Sequence, residues 1–243
     1  MNKNNKMNSF RTLIEEANII DLTHKITNDM PIMPFQKAPT IETIIDYSQG
    51  ALVRRFSIDE HEGTHIDAPA HFIAGGLTVD RLNIKSLFSH AYILDVREEI
   101  KKDCDYKLSV ENLESFEGNN NLSINGGVIL MWTGWSANWR NHGAYFGIDD
   151  SGATHFPGFS REVVELLVEE KGVVGIGIDG PSVDSGTDKG YSVHSYVLSK
   201  GLFQMENLTN LEQIGNPLTQ LMIAPMHLFE GSGAPARVFA FSF

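Results

Sequence analysis

The chain has 243 residues, is 42% apolar, and carries a formal net charge of -12 at pH 7. That length suits one large domain with a sizeable core. The negative balance argues against nucleic acid or an anionic membrane as a partner, since both call for a cationic surface. A lone cysteine, Cys104, rules out an internal disulfide and is compatible with a reducing cytoplasm.

Met1 to Ser9 is rich in Asn and Lys and has no apolar run, so it reads as a disordered tail rather than a signal peptide or spanning helix. Residues 10–243 then read as a single domain. Phe10, Leu13, Ile14 and Ala17 recur at helical spacing, and Ile19 to Leu22 reads as a strand. Pro31, Pro34 and Pro39 keep the next segment extended and irregular, as suits a pocket wall or a subunit contact. Thr40 to Tyr47 and Leu52 to Ile58 are predicted strands, the second leading into the most informative stretch of the chain.

That stretch is His61-Glu62-Gly63-Thr64-His65-Ile66-Asp67-Ala68-Pro69-Ala70-His71. It concentrates three imidazoles and one aspartate, all good ligands for a first-row divalent metal. His61, His65 and Asp67 stand at even offsets, so extended backbone would turn them to one side. A helix would not, and Gly63 and Pro69 both disfavour one. A strand or extended loop is therefore expected here, unlike the helical H-E-x-x-H of zincins. One ion on His61, His65 and Asp67 would keep a position open for water, the usual condition of a catalytic site.

Downstream, Gly75-Gly76 marks a turn, Ala91 to Val96 a buried strand, and Leu108 to Phe116 a helix with Ser109 as N-cap. Asn119 to Asn121 is predicted as a loop and Gly127 to Met131 as a buried strand. Trp132 to Phe159 is crowded with aromatic residues and interrupted by glycines, His142 and His155. It reads either as the lining of an aromatic pocket or as a crossover packed on the core. Ser160 is a predicted N-cap for an amphipathic helix reaching Gly172, followed by a buried strand, Val173 to Ile178. Asp179 and Asp184 beyond it could orient metal-ligating groups or cap backbone amides. Ser192 is expected to cap a short helix carrying His194 and ending at Gly201, before a strand from Leu202 to Met205 with Glu206 at its end. Leu221 to Ala224 and Arg237 to Phe243 are the last predicted strands, around a Gly-Ser-Gly loop.

The motif H-x-G-T-H-x-D-x-P-x-H resembles the signature of the cyclase family of metal-dependent hydrolases, which includes bacterial kynurenine formamidase and isatin hydrolase. Other landmarks follow in the family's order. Asp21-Leu22-Thr23-His24 and the proline-rich segment resemble its N-terminal D-L-[ST]-H region, and Thr133-Gly134-Trp135 its central T-G-W. Gly177 to Asp184 resembles its G-I-D-x-x-S-x-D, and His194 with Glu206-Asn207-Leu208 its C-terminal His and E-N-L. The resemblance thus covers nearly the whole chain.

The alternation of short strands with two or three helices suggests an α/β domain with a strand-rich core and flanking helices. The resemblance implies a fold of the swivelling β/β/α kind, in a homodimer or tetramer. It also implies one or two divalent ions, Zn or Mn, with His61, His65 and Asp67 on the first and Asp67, His194 and Glu206 on the second. His71 is then left as general acid or base. Phe35, Trp135 and His155 are candidate substrate contacts, a packed aromatic being the other reading of Phe35. The implied reaction is hydrolysis of a small aromatic amide in the cytoplasm. N-formylkynurenine, from tryptophan catabolism, is the first choice, and isatin or another cyclic amide the alternative. Two other classes stay open: a metal-binding module without turnover, and a two-metal phosphoesterase, which the lack of an Arg cluster or Gly-rich phosphate loop disfavours.

Overall fold

Apolar runs without polar alternation, such as Val128 to Met131, call for strands covered on both faces. The computed structural model, which describes residues 11–33 and 35–243, has that arrangement. The predicted tail, Met1 to Ser9, lies outside the described residues, as do Phe10 and Pro34. Residues 11–16 are helical. They lead to β1 (Asn18–Asp21), a hairpin of β2 (Thr40–Ile45) and β3 (Val53–Ser57), the short β4 (His65–Asp67) and the long β5 (Phe88–Asp95). Then come α1 (Arg97–Ile100), β6 (Lys107–Leu108), α2 (Val110–Asn120), β7 (Val128–Trp132), α3 (His142–Phe146), β8 (Gly158–Phe159), α4 (Arg161–Glu169) and β9 (Gly175–Ile178). The chain closes with α5 (Ser192–Ser199), β10 (Phe203–Glu206), β11 (Leu218–Pro225) and β12 (Gly233–Ser242).

Eight strands form one sheet in the order β1-β12-β11-β5-β7-β9-β10-β4, and β4 pairs again with β12, so the sheet closes on itself as a barrel. β5, β7, β9 and β10 run parallel to their neighbours in that series. Along β7, Val128 and Leu130 join Ile66, Ile93 and Met205 inside the barrel. The alternate residues Ile129 and Met131 pack outward against Leu113 of α2 and Val164 and Leu167 of α4. This is the α/β architecture with a strand-rich core and flanking helices that the sequence predicts.

Two local expectations need correction. The loop predicted at Asn119 to Asn121 begins inside α2, because Asn120 Nδ2 donates back to the Phe116 carbonyl. The helix stops one residue later, where Asn121 takes a left-handed conformation. Ser192 is the first residue of α5 rather than its cap, and the Asp184 carboxylate instead accepts from the Val193 and His194 amides. The β2–β3 hairpin leads into the metal motif as expected, but it stands apart from the main sheet. It forms a separate two-stranded sheet with Ile44, Val53 and Phe56 exposed.

Candidate metal centre

β4 has only three residues, yet it pairs on both edges. His65 stands opposite Glu206 of β10 and Pro235 of β12, and Asp67 opposite Gln204 and Gly233. Strand alternation sends Ile66 into the barrel core and turns His65 and Asp67 together to the other side. The same register sets Gln204 and Glu206, themselves two residues apart, beside them. His61 arrives differently from the extended path expected of it. Residues 60–64 turn, with Gly63 at φ 66°, and carry the His61 ring back so that Nδ1 lies 2.6 Å from Asp67 Oδ1. Gly233 makes that return possible, because a β-carbon there would stand 2.5 Å from His61 Cε1.

Asp67 is the centre of the cluster. His65 Nε2 lies 3.3 Å from its Oδ1, His194 Nε2 3.5 Å from its Oδ2, and Gln204 Nε2 donates to Oδ2 at 2.8 Å. Glu206 closes the far side, 3.2 Å from His194 Nε2 and 3.6 Å from His65 Nε2. His71, in a 3-10 turn at Pro69–His71, stacks on His61 with ring centroids 3.8 Å apart. Two sets, His61 with Asp67 and His71, and His65 with Asp67 and Glu206, bring their ligand atoms within 4.8 Å of one another. Such nitrogen and carboxylate donors suit a first-row divalent cation.

The outer nitrogens of the three imidazoles are held in the way metal-ligating histidines usually are. His65 Nδ1 donates to the Gly63 carbonyl at 2.9 Å, and His194 Nδ1 to Asp184 Oδ2 at 2.5 Å, leaving each Nε2 turned inward. His61 is reversed: its Nε2 meets Ser232 Oγ at 2.8 Å, Ser232 donates on to Glu60, and Nδ1 is the inward atom. Burial acts to lower the pKa of His65, but Asp67 and Glu206 outweigh it and raise it to about 9. Burial likewise acts to lower the pKa of His194, but Asp184, Asp67 and Glu206 outweigh it and raise it well above the usual imidazole value. Asp67 is pushed up by burial and held well below the usual carboxylate range by His65, His194 and His61. His71 goes the other way, to about 4. Its burial is the main cause, and His61 and His194 add to it against the pull of Asp67.

These groups open onto a cavity of about 400 Å³ walled in part by Phe35, Met33, Phe72, Phe146 and Tyr191. Of the three candidate substrate contacts, only Phe35 lines it, at 79% exposed. Trp135 instead donates from Nε1 to the Tyr145 carbonyl at 2.7 Å. His155 is bound between Asp105, at 2.7 Å, and Asp149, at 3.3 Å. From the aromatic stretch, Phe146 reaches the cavity while Tyr145 and Phe159 are buried. The Thr133-Gly134-Trp135 landmark is explained by Asp179, whose carboxylate accepts from the Thr133 amide and hydroxyl and the Gly134 amide.

Sequence reasoning missed Glu60, Ser232 and Gln204, and read Asn207 only as part of the Glu206-Asn207-Leu208 landmark. Gln204 had a usable signal, its even offset from Glu206 on a predicted strand. Asn207, in a left-handed conformation at φ 56°, donates from Nδ2 to the Gly63 carbonyl and accepts from the Tyr145 hydroxyl. Its backbone carbonyl accepts from Thr64 Oγ1, which in turn accepts from the His24 amide, tying the Asp21-Leu22-Thr23-His24 segment to the site.

The chain belongs to the Cyclase family, whose profile matches residues 20–185. It is similar to an isatin hydrolase of Roseibium aggregatum, 26% identical over 249 residues, with 95% of this chain and 94% of the relative covered. A kynurenine formamidase of Bacillus thuringiensis is 27% identical over 225 residues, covering 90% of this chain and 94% of the relative. Isatin hydrolase A of Ralstonia solanacearum, a solved structure, matches with a TM-score of 0.91 at 26% identity, covering 100% of this chain and 98% of its own.

Two outcomes follow from the electrostatics and the outer hydrogen bonds. The raised His65 pKa contributes stability that is complete below about 6.5 and is lost as pH rises through about 9. Chelator-treated protein should therefore melt at falling temperature across that interval. The melting gain on adding Zn should grow over the same range, because ligation needs neutral imidazoles. Asp184→Asn removes the charge that orients His194 and should weaken Zn binding about 10- to 100-fold, by competition with a chromophoric chelator.

Proposed function

We propose that the chain hydrolyses a small aromatic amide with the help of a divalent cation, as an arylformamidase that converts N-formylkynurenine to kynurenine and formate. Ring opening of isatin or a related cyclic amide is the alternative. The observation that carries the reading is the convergence of His61, His65, His194 and Glu206 on buried Asp67 at the floor of an aromatic-walled cavity. The family's members named above act as such hydrolases, which supports extending the activity to this chain.

His61, His65 and Asp67 would hold one Zn or Mn ion, and Asp67, His194 and Glu206 a second. An ion there supplies a Lewis acid that polarises the amide carbonyl and lowers the pKa of water to about 7. His71, neutral at pH 7 by virtue of its lowered pKa, takes the proton of the attacking water and returns it to the departing nitrogen. The rings of Phe146 and Phe72 offer the aryl group an apolar surface. A second role for His71 has its own support: its ligand atom lies within reach of the same point as those of His61 and Asp67, as a third ligand's would.

We further assign the protein to the cytoplasm, supported by its single, exposed Cys104. Among the described residues no helix is long and apolar enough to cross a membrane. A homodimer or tetramer is supported by the exposed apolar residues of the β2–β3 hairpin and of Phe35, since such clusters mark contact surfaces.

The direct test is formate release from N-formylkynurenine and ring opening of isatin by Zn- and Mn-loaded protein. Turnover of either aromatic amide is expected, and inertness toward both at high enzyme concentration defeats the substrate assignment. His71→Ala should lower kcat about 10²- to 10⁴-fold with metal content intact. Loss of metal in that variant makes His71 a ligand and removes it as the base. Retained metal with unimpaired turnover removes it from the reaction altogether.

A further inference from the structure

We propose that Tyr191 is the specificity residue of the cavity, selecting an aromatic ring by holding it against its own ring and that of Phe72. This deepens the assignment of aromatic amides and rests on it. Tyr191 has φ 48° and ψ 49°, in the left-handed region where a β-carbon crowds the backbone and glycine is at home. A bulky aromatic there is an outlier, and such outliers persist only where their surroundings enforce them.

The enforcement is visible on both sides. Asp188 accepts from the Gly190 amide at 2.8 Å and from Ser192 Oγ at 2.5 Å, bracketing Tyr191 between its two chain neighbours. Asp184 fixes the following turn by accepting from the Val193 and His194 amides. Folding draws little from the side chain so constrained. It is 46% exposed, and its hydroxyl makes no hydrogen bond among the described residues. What the ring does reach is the cavity. Its centroid lies 5.8 Å from that of Phe72 and 5.9 Å from that of His194. Phe72 is in turn 5.0 Å from His194 and 4.9 Å from His71. Tyr191 and Phe72 therefore form one aromatic wall beginning at the candidate ligand and base, where the ring attached to a reacting amide must lie. Aromatic pairs gain energy beyond area burial, so such a wall distinguishes a flat ring from a saturated one of the same size.

The test uses the Zn-loaded protein, its Tyr191→Gly and Tyr191→Phe variants, and two amides of matched size, acetanilide and N-cyclohexylacetamide. Dissociation constants come from ligand-observed NMR and do not depend on turnover. Wild type and Tyr191→Phe are expected to prefer acetanilide. Tyr191→Gly is expected to lose about tenfold in acetanilide affinity, to bind the two amides alike, and to melt no lower than wild type. No aromatic preference in wild type, or a preference that survives in Tyr191→Gly, overturns the proposal. So does a lower melting temperature of Tyr191→Gly, which makes the ring a packing element. Ring preference that depends on Tyr191 in a protein inert toward aromatic amides defeats the hydrolase assignment alone. Turnover with a ring preference indifferent to Tyr191 defeats this one alone.

Discussion

A carboxylate that is 1% exposed at the seam of a closed barrel cannot stand alone, and the architecture around Asp67 answers that demand. Removing such a charge from water costs several kcal/mol, which only close and well-oriented partners offset. Asp67 has four: three imidazoles and the Gln204 amide. Each imidazole is itself held from behind, by Gly63, Asp184 or the Ser232–Glu60 pair. The cluster is therefore two layers deep. Glu206, as the cross-strand neighbour of His65, completes the inner layer through backbone register alone.

The period-two spacing of His65 and Asp67 was legible because a strand expresses its pattern locally. The buried strands at Val128 to Trp132 and Gly175 to Ile178 were legible for a related reason, since parallel strands covered on both faces need apolar residues throughout. The path of His61 was not. It depends on Gly63 adopting φ 66° and on the missing side chain of Gly233, which lies 172 residues after His61 in the chain. In the sequence Gly63 disfavours a helix, whereas its larger effect is on the direction of the backbone. Ser232 and Glu60 belong to the same class, since a hydroxyl in a glycine loop and an acid in a turn acquire meaning only when folding joins them.

The stretch from Trp132 to Phe159 shows the limit of composition more sharply. Its aromatic residues suit a pocket wall and a packed crossover equally, and the difference lies in hydrogen bonds that composition does not contain. The Trp135 indole is occupied by the Tyr145 carbonyl, and the Tyr145 hydroxyl by Asn207. Aromatic residues with their polar atoms so engaged act as braces, here carrying the crossover onto the residue next to Glu206. Asp179 works alongside them. It is fully buried, and burial raises its pKa to about 6 even against the Thr133 and Gly134 donors that pull it down.

The smallest strand of the main sheet is also the one that shuts it. Since β4 carries His65 and Asp67 while bonding to neighbours on either side, few changes there can spare the barrel. The margin of the cavity is under no such obligation: Phe35, Phe72 and Tyr191 are exposed and belong to none of its staves. The protein thus divides its labour by depth. A buried hearth is committed to the chemistry, and an exposed doorway decides which molecules are brought to it.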